Sequence, residues 1–100
     1  GNLWIQTDGK YSNSGKFARM GNNQMLCANP RTGEISRFLV GPKECEITGI
    51  TWSSDKKTMF VGVQHPGEKN PDSCHFPDGG NSVPRSTVIA ITRNNGRAIG

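Results

Sequence analysis

Residues able to do chemistry in this chain are oxygen donors and two imidazoles, and they gather next to the strand-like segments. Asp8 ends the segment Leu3 to Thr7 as Thr7-Asp8-Gly9, and Glu46 opens the segment Ile47 to Trp52 as Cys45-Glu46-Ile47. Carboxylates joined by amide carbonyls, which Asn22 and Asn23 could supply, are what a hard cation such as calcium requires. No D-x-D-x-D loop occurs, so any such site would be assembled by the fold. A plainer role is open to each: Asp8 can cap an Asx turn, and Glu46 can be a solvated carboxylate. His65, in Gln64-His65-Pro66-Gly67, can act as ligand or acid–base group, or simply bond a loop carbonyl. His75 beside Cys74 points away from it in an extended segment, so the pair does not chelate one ion.

What must position these residues is a set of short strands. The 100 residues carry 13 Gly, 6 Pro and only 32% apolar residues, which predicts short strands with polar loops in one small domain. No apolar run is long enough for a membrane helix. The net charge of +4 comes from scattered cations with no basic stripe and no interleaved aromatics, which argues against nucleic-acid binding. Cys27, Cys45 and Cys74 show no C-x-x-C spacing and so no structural-zinc signature. Cys27 falls inside a strand as a small apolar group. Cys45 and Cys74 fall in loops, where an oxidising compartment would let them bond.

Period-two patterning predicts strands at Leu3 to Thr7, Gln24 to Ala28, Ile35 to Val40, Ile47 to Trp52, Thr58 to Gln64 and Thr87 to Thr92. Tight turns join some of them, at Asn29 to Gly33, Ser53 to Lys57 and Asn94 to Gly96. Two long inserts, Asp8 to Asn23 and His65 to Arg85, join the others. The halves superpose as a repeat of a four-stranded antiparallel unit, A-B-C-D. Residues 1–45 hold B-C-D, residues 46–100 hold A-B-C-D, and the last D begins at Ala98. The predicted fold class is therefore all-β: four-stranded meander sheets, about two blades of a β-propeller. Two blades do not close a ring, so the expectation is a piece of a larger protein. Its exposed blade flanks would favour self-association.

Strands of a meander alternate in direction, so the tight turns share one end of the sheets. Both inserts and the link Gly41 to Glu46 share the other, and function is expected there, on elaborated loops held by a scaffold. Trp4, Phe38, Trp52 and Phe60 are expected to pack between blades.

Several words of the sequence are those of a known family: Leu3-Trp4-Ile5-Gln6-Thr7-Asp8-Gly9, Gly21-Asn22-Asn23-Gln24-Met25, Arg37-Phe38-Leu39-Val40-Gly41-Pro42, Glu46-Ile47-Thr48-Gly49-Ile50, Gln64-His65-Pro66-Gly67 and Phe76-Pro77-Asp78-Gly79-Gly80. In these the chain resembles the C-terminal part of the PhoX-type alkaline phosphatases, over essentially its whole length. The resemblance implies a periplasmic or secreted phosphomonoesterase whose central funnel holds calcium and iron. It also implies Asp8, Asn23 and Glu46 as metal ligands, with Asn22 and His65 around them or facing substrate. A phosphate-clamping arginine is expected in such a site, yet the link before Glu46 carries Lys43 and Glu44. The cysteine thiolate that the resemblance places on iron is expected from an earlier blade, not from Cys45. Two readings from other classes stand beside it: a calcium-binding propeller with a structural or carbohydrate-binding role, and a lactonase-type propeller hydrolase. Two blades alone supply only part of a ligand set, so this stretch in isolation is expected to be inactive.

Overall fold

In a computed structural model, residues 1–7 and 23–99 are described. They form six strands: β1 (Leu3–Gln6), β2 (Gln24–Ala28), β3 (Ile35–Val40), β4 (Glu46–Trp52), β5 (Thr58–Gln64) and β6 (Thr87–Thr92), with one 3₁₀ turn at Pro71–Ser73. The strands pair antiparallel in two three-stranded sheets, β1-β2-β3 and β4-β5-β6. Among the described residues the expected fourth strand of the second sheet, from Ala98 on, does not form a ladder. The turn Arg93–Gly96 swings the chain back, and the Ile99 amide donates to the Lys56 carbonyl at 3.0 Å in the preceding tight turn. The first long insert, apart from Asn23, lies outside the described residues.

Alternation explains the core. Met59, Val61 and Val63 on β5 are buried while Phe60 and Gln64 between and after them are exposed. These three join Met25 of β2, Cys45 and Ile47 in a cluster sealed by Trp4, Leu39, Trp52, Phe76, Ile89, Ile91 and Ile99. The cluster lies between the sheets, which touch where β2 faces β4. Trp4 bridges them, edge-on to Phe38 at 4.9 Å and tilted against Trp52 at 5.9 Å. Phe60 does not take part, since register pairs it with Thr51 and Ala90 on the outer face of the second sheet.

One glycine keeps β4 in phase. A register shift between Thr48 and Ile50 places Gly49 at φ +61°, a conformation that side chains disfavour. The extra residue lets Ile47, Ile50 and Trp52 all pair with the inward residues Val63, Val61 and Met59. The freed Gly49 carbonyl accepts a 2.6 Å hydrogen bond from Gln6 Nε2, a polar tie between the sheets.

Candidate functional site

The end of the molecule opposite the tight turns brings together the close of β1, the start of β2, the close of β3, the start of β4 and the close of β5. A hydrogen-bond relay runs across this rim. The Gln24 amide donates to Thr7 Oγ1 at 2.8 Å, Thr7 Oγ1 donates to Asn23 Oδ1 at 3.1 Å, and Asn23 Nδ2 donates to the Cys45 carbonyl at 3.0 Å. Asn23 is 4% exposed, so these bonds replace water that its amide would otherwise need. The Gly41 amide donates to the Asn23 carbonyl at 2.9 Å, tying in the link to β4. Asn23 thus joins the first sheet to the residue before Glu46.

Glu46 and His65 meet at the same rim. His65 Nδ1 donates to the Glu44 carbonyl at 3.0 Å, and Nε2 lies 3.3 Å from Glu46 Oε2. Glu68 Oε2 lies 3.4 Å from Nδ1. Desolvation alone would lower the His65 pKa, but the backbone hydrogen bonds, the Glu46 carboxylate and the Glu68 charge together outweigh it and raise the pKa above 6.5. Only the imidazolium donates to Glu44 and Glu46 at once, so the cationic form is the one that this geometry favours.

Two residues here hold left-handed backbone without being glycine: Glu44 at φ +62° and His65 at φ +42°. Such conformations persist only where the surroundings fix them, and they concentrate at functional sites. Here the His65 amide donates to Ser86 Oγ at 2.9 Å, and Glu44 Oε1 accepts the Asn70 amide at 2.9 Å. The Gly67 amide donates to the Lys43 carbonyl at 2.8 Å. The 65–85 insert is thereby folded down against the link before β4.

Of the residues expected at the site, Asn23, Glu46 and His65 share this rim, while Asp8 and Asn22 lie outside the described residues. Asp8 follows Thr7 directly, and Thr7 is itself part of the relay. His75 serves its own loop, with Nδ1 donating to the Ser82 carbonyl at 2.9 Å and its carbonyl accepting Ser82 Oγ at 3.1 Å. Cys45 is fully buried, and burial, followed by the nearby Cys74 thiol, pushes its pKa up to about 11. A thiol so held is a poor metal ligand or nucleophile. Glu44 and Glu68 were expected on this loop-rich face without a role, and Thr7 was missed by sequence reasoning. Its signal was adjacency to Asp8, which spacing alone does not separate from ordinary loop polarity.

As donors for a metal, the rim residues fit a hard cation in chemistry. Glu46 is a half-buried carboxylate held through one oxygen by an imidazole, the arrangement in which an outer residue orients a ligand. Among the described residues no group of three or more His, Cys, Asp or Glu converges as a complete site.

Stacked antiparallel sheets with elaborated loops at one end form the kind of scaffold from which propeller blades are built, and place this chain among all-β, loop-functional proteins. The family model for alkaline phosphatase PhoX matches residues 1–67. The solved structure of Pseudomonas fluorescens PhoX in complex with vanadate, a transition state analogue, is 59% identical with a TM-score of 0.87. That similarity covers 99% of this chain and 17% of the other. No curated protein matches. The chain belongs to the PhoX alkaline phosphatase family, and it spans about a sixth of the length of the Pseudomonas fluorescens protein. No helix among the described residues is long and apolar enough to cross a membrane.

Proposed function

We propose that the protein carrying this chain is an exported, metal-dependent phosphatase that hydrolyses phosphate monoesters, and that the rim described above forms one sector of its site. Family membership supports the reaction class, as does the vanadate bound by the Pseudomonas fluorescens relative, since vanadate imitates a phosphoryl group in transfer. The single observation that carries the site assignment is the Glu46–His65 contact, at the rim where the Asn23 relay meets the start of β4. Glu46, Asp8 and Asn23 Oδ1 are the oxygens that would hold metal, calcium and iron being the ions that the resemblance implies. Bound there, such ions would bind the phosphate oxygens, offset developing negative charge and lower the pKa of an attacking water or hydroxyl. His65 fixes the Glu46 carboxylate, Asn23 fixes the peptide before it, and Asn22 is read, from the resemblance, as a surrounding or substrate-facing residue. The periplasm or the exterior of the cell is the compartment that this reading assigns.

The apolar outer faces of the two sheets are read as seats for the remainder of the parent rather than for a second copy, because the chain spans only 17% of its relative's length. The same arithmetic leaves this stretch with a partial ligand set. Neither a carbohydrate-binding role nor lactone hydrolysis is favoured by any feature of the rim.

The test compares Glu46→Gln and His65→Gln in the full-length protein, with p-nitrophenyl phosphate turnover and metal content measured together. Glu46→Gln should lose both bound metal and activity, and His65→Gln should lose about 10- to 100-fold in metal affinity or rate, as for residues that orient a ligand. Glu46→Gln protein with unaltered metal content and turnover would remove the rim from the reaction. The 100-residue chain alone should show no turnover above the uncatalysed rate.

A further inference from the structure

We propose that Cys45 and Cys74 are a disulfide pair that staples the 65–85 insert to the link ahead of β4. Both thiols are free in this structure, and both are buried, Cys45 completely and Cys74 to 6% exposure. Cys45 lies in the core cluster, and its backbone amide is held by the Pro42 carbonyl at 3.3 Å. Cys74 caps the 3₁₀ turn Pro71–Ser73, with its amide on the Pro71 carbonyl at 3.4 Å.

The backbone brings the two segments together at successive points. Lys43 accepts the Gly67 amide and Glu44 accepts the Asn70 amide through its side chain; Cys45 is the next residue on one segment, and Cys74 lies four residues past Asn70 on the other, across the 3₁₀ turn. A Cβ built on Gly67 would lie 3.1 Å from Cys74 Cβ, so Cys74 is packed against the very residue bonded to Lys43. Cys74 acts electrostatically on the Cys45 thiol, the leading influence on it after burial itself. Cys27 sits on β2 opposite Trp4 and Ser36, in the first sheet and away from this junction. Two cysteines of three are therefore paired by position, and the third stands apart.

The bond joins residues 29 apart in sequence and closes β4, β5 and half the insert into one loop. Closing a loop of this size restrains the unfolded chain and holds Glu44 and His65 in their left-handed conformations. The chemistry is ordinary thiol–disulfide exchange with a low-molecular-weight or protein disulfide as oxidant. The less buried Cys74 thiolate attacks one sulfur of the oxidant, whose other sulfur leaves as a thiolate. Cys45, a weak nucleophile in free encounter, reacts here because the fold holds it beside Cys74: it gives up its proton, attacks Cys74 sulfur and expels the second oxidant thiolate. Two protein thiols are oxidised, the oxidant is reduced to two thiols, and the two protons pass to the departing thiolates.

The pairing rests on the reading that the protein is exported, where such oxidants prevail. The test separates the two. Full-length protein, reduced and then equilibrated with oxidised glutathione, is alkylated without reductant, digested with trypsin and mapped by mass spectrometry. The expected product is one linked species joining peptide 44–56 to peptide 70–85, lighter than their sum by two hydrogens, while the peptide holding Cys27 is recovered alkylated. In Cys74→Ala protein the 44–56 peptide should return alkylated. Recovery of both peptides alkylated from oxidised wild-type protein, or a link from Cys27 to either, would overturn the pairing. The same map on protein taken from the cell without reductant tests the compartment independently of the geometry.

Discussion

Gly41 shows how closely the rim is packed. A Cβ there would collide with Cys45 Sγ, come within 2.8 Å of Ile47 Cδ1 and lie 3.2 Å from the Asn23 carbonyl that its own amide donates to. None of these is the loose end of an exposed side chain, so the neighbours cannot yield cheaply. Gly41→Ala is expected to destabilise the protein by about 1–3 kcal/mol, the usual cost of overpacking a filled site. Thermal or urea unfolding of the variant would check it, and an unchanged midpoint would mean that Cys45 has room to move. At this scale the sequence was legible for residue type only. Asn23, Glu46 and His65 could be chosen because carboxylates, amides and imidazoles at strand ends are chemically suggestive. That the Asn23 amide is occupied at both ends, or that Glu44 bends through a left-handed turn to meet His65, depends on contacts across at least 19 residues of sequence. Spacing within the chain carries no information about such contacts.

Elements were far more legible, because period-two burial and turn chemistry are local. All six strands fall within a residue of the limits that alternation sets, and β5 shows why: its inward Met59, Val61 and Val63 alternate with residues that the outer face tolerates. Parity is local too, and it turns Phe60 away from the other sheet, onto the face that a further layer would cover. The ladder expected from Ala98 is pre-empted by the Ile99 bond to Lys56. The turn between β4 and β5 offers a test of element stability. Asp55 Oδ1 accepts Ser53 Oγ at 2.7 Å and the Lys57 amide at 3.0 Å, and these bonds, Ser53 first, hold its pKa below 3.8. A carboxylate whose folded pKa is depressed adds stability above its unfolded pKa and loses it as the pH falls through the folded value. Asp55→Asn retains an acceptor but removes the charge. It should therefore lower the melting temperature slightly near neutrality, with the gap to wild type closing as the pH drops below 3.8. A gap of constant size from about pH 6 to about pH 3 would show that the charge contributes nothing to the turn.

At the scale of the whole molecule, each sheet covers one face with the other and leaves its second face bare. Ile35, Phe38 and Val40 on β3, Phe60 on β5 and Val88 on β6 are all exposed large apolar residues, Val88 to 71%. Beside Val88 a shallow hollow opens over Gly62, where a Cβ would meet Thr48 Oγ1 at 2.9 Å, so the strand surface there is flat enough to receive another layer. Small proteins rarely leave so much apolar strand surface in water, and a chain spanning 17% of its relative has most of that relative left to cover it. The 100-residue chain alone should accordingly bind a hydrophobic dye such as anilinonaphthalene sulfonate several-fold more strongly, per mole, than the full-length protein does. Replacing Phe60 and Val88 together by Thr, which suits a strand but is less apolar, should reduce that fluorescence while leaving the β signature in circular dichroism intact. In the full-length protein the same double change is expected to cost several degrees of melting temperature, the outcome that follows when the remainder of the parent covers these two side chains. Equal dye binding by the chain and the full-length protein would mean that these faces meet solvent in both, and that the remainder of the parent packs elsewhere.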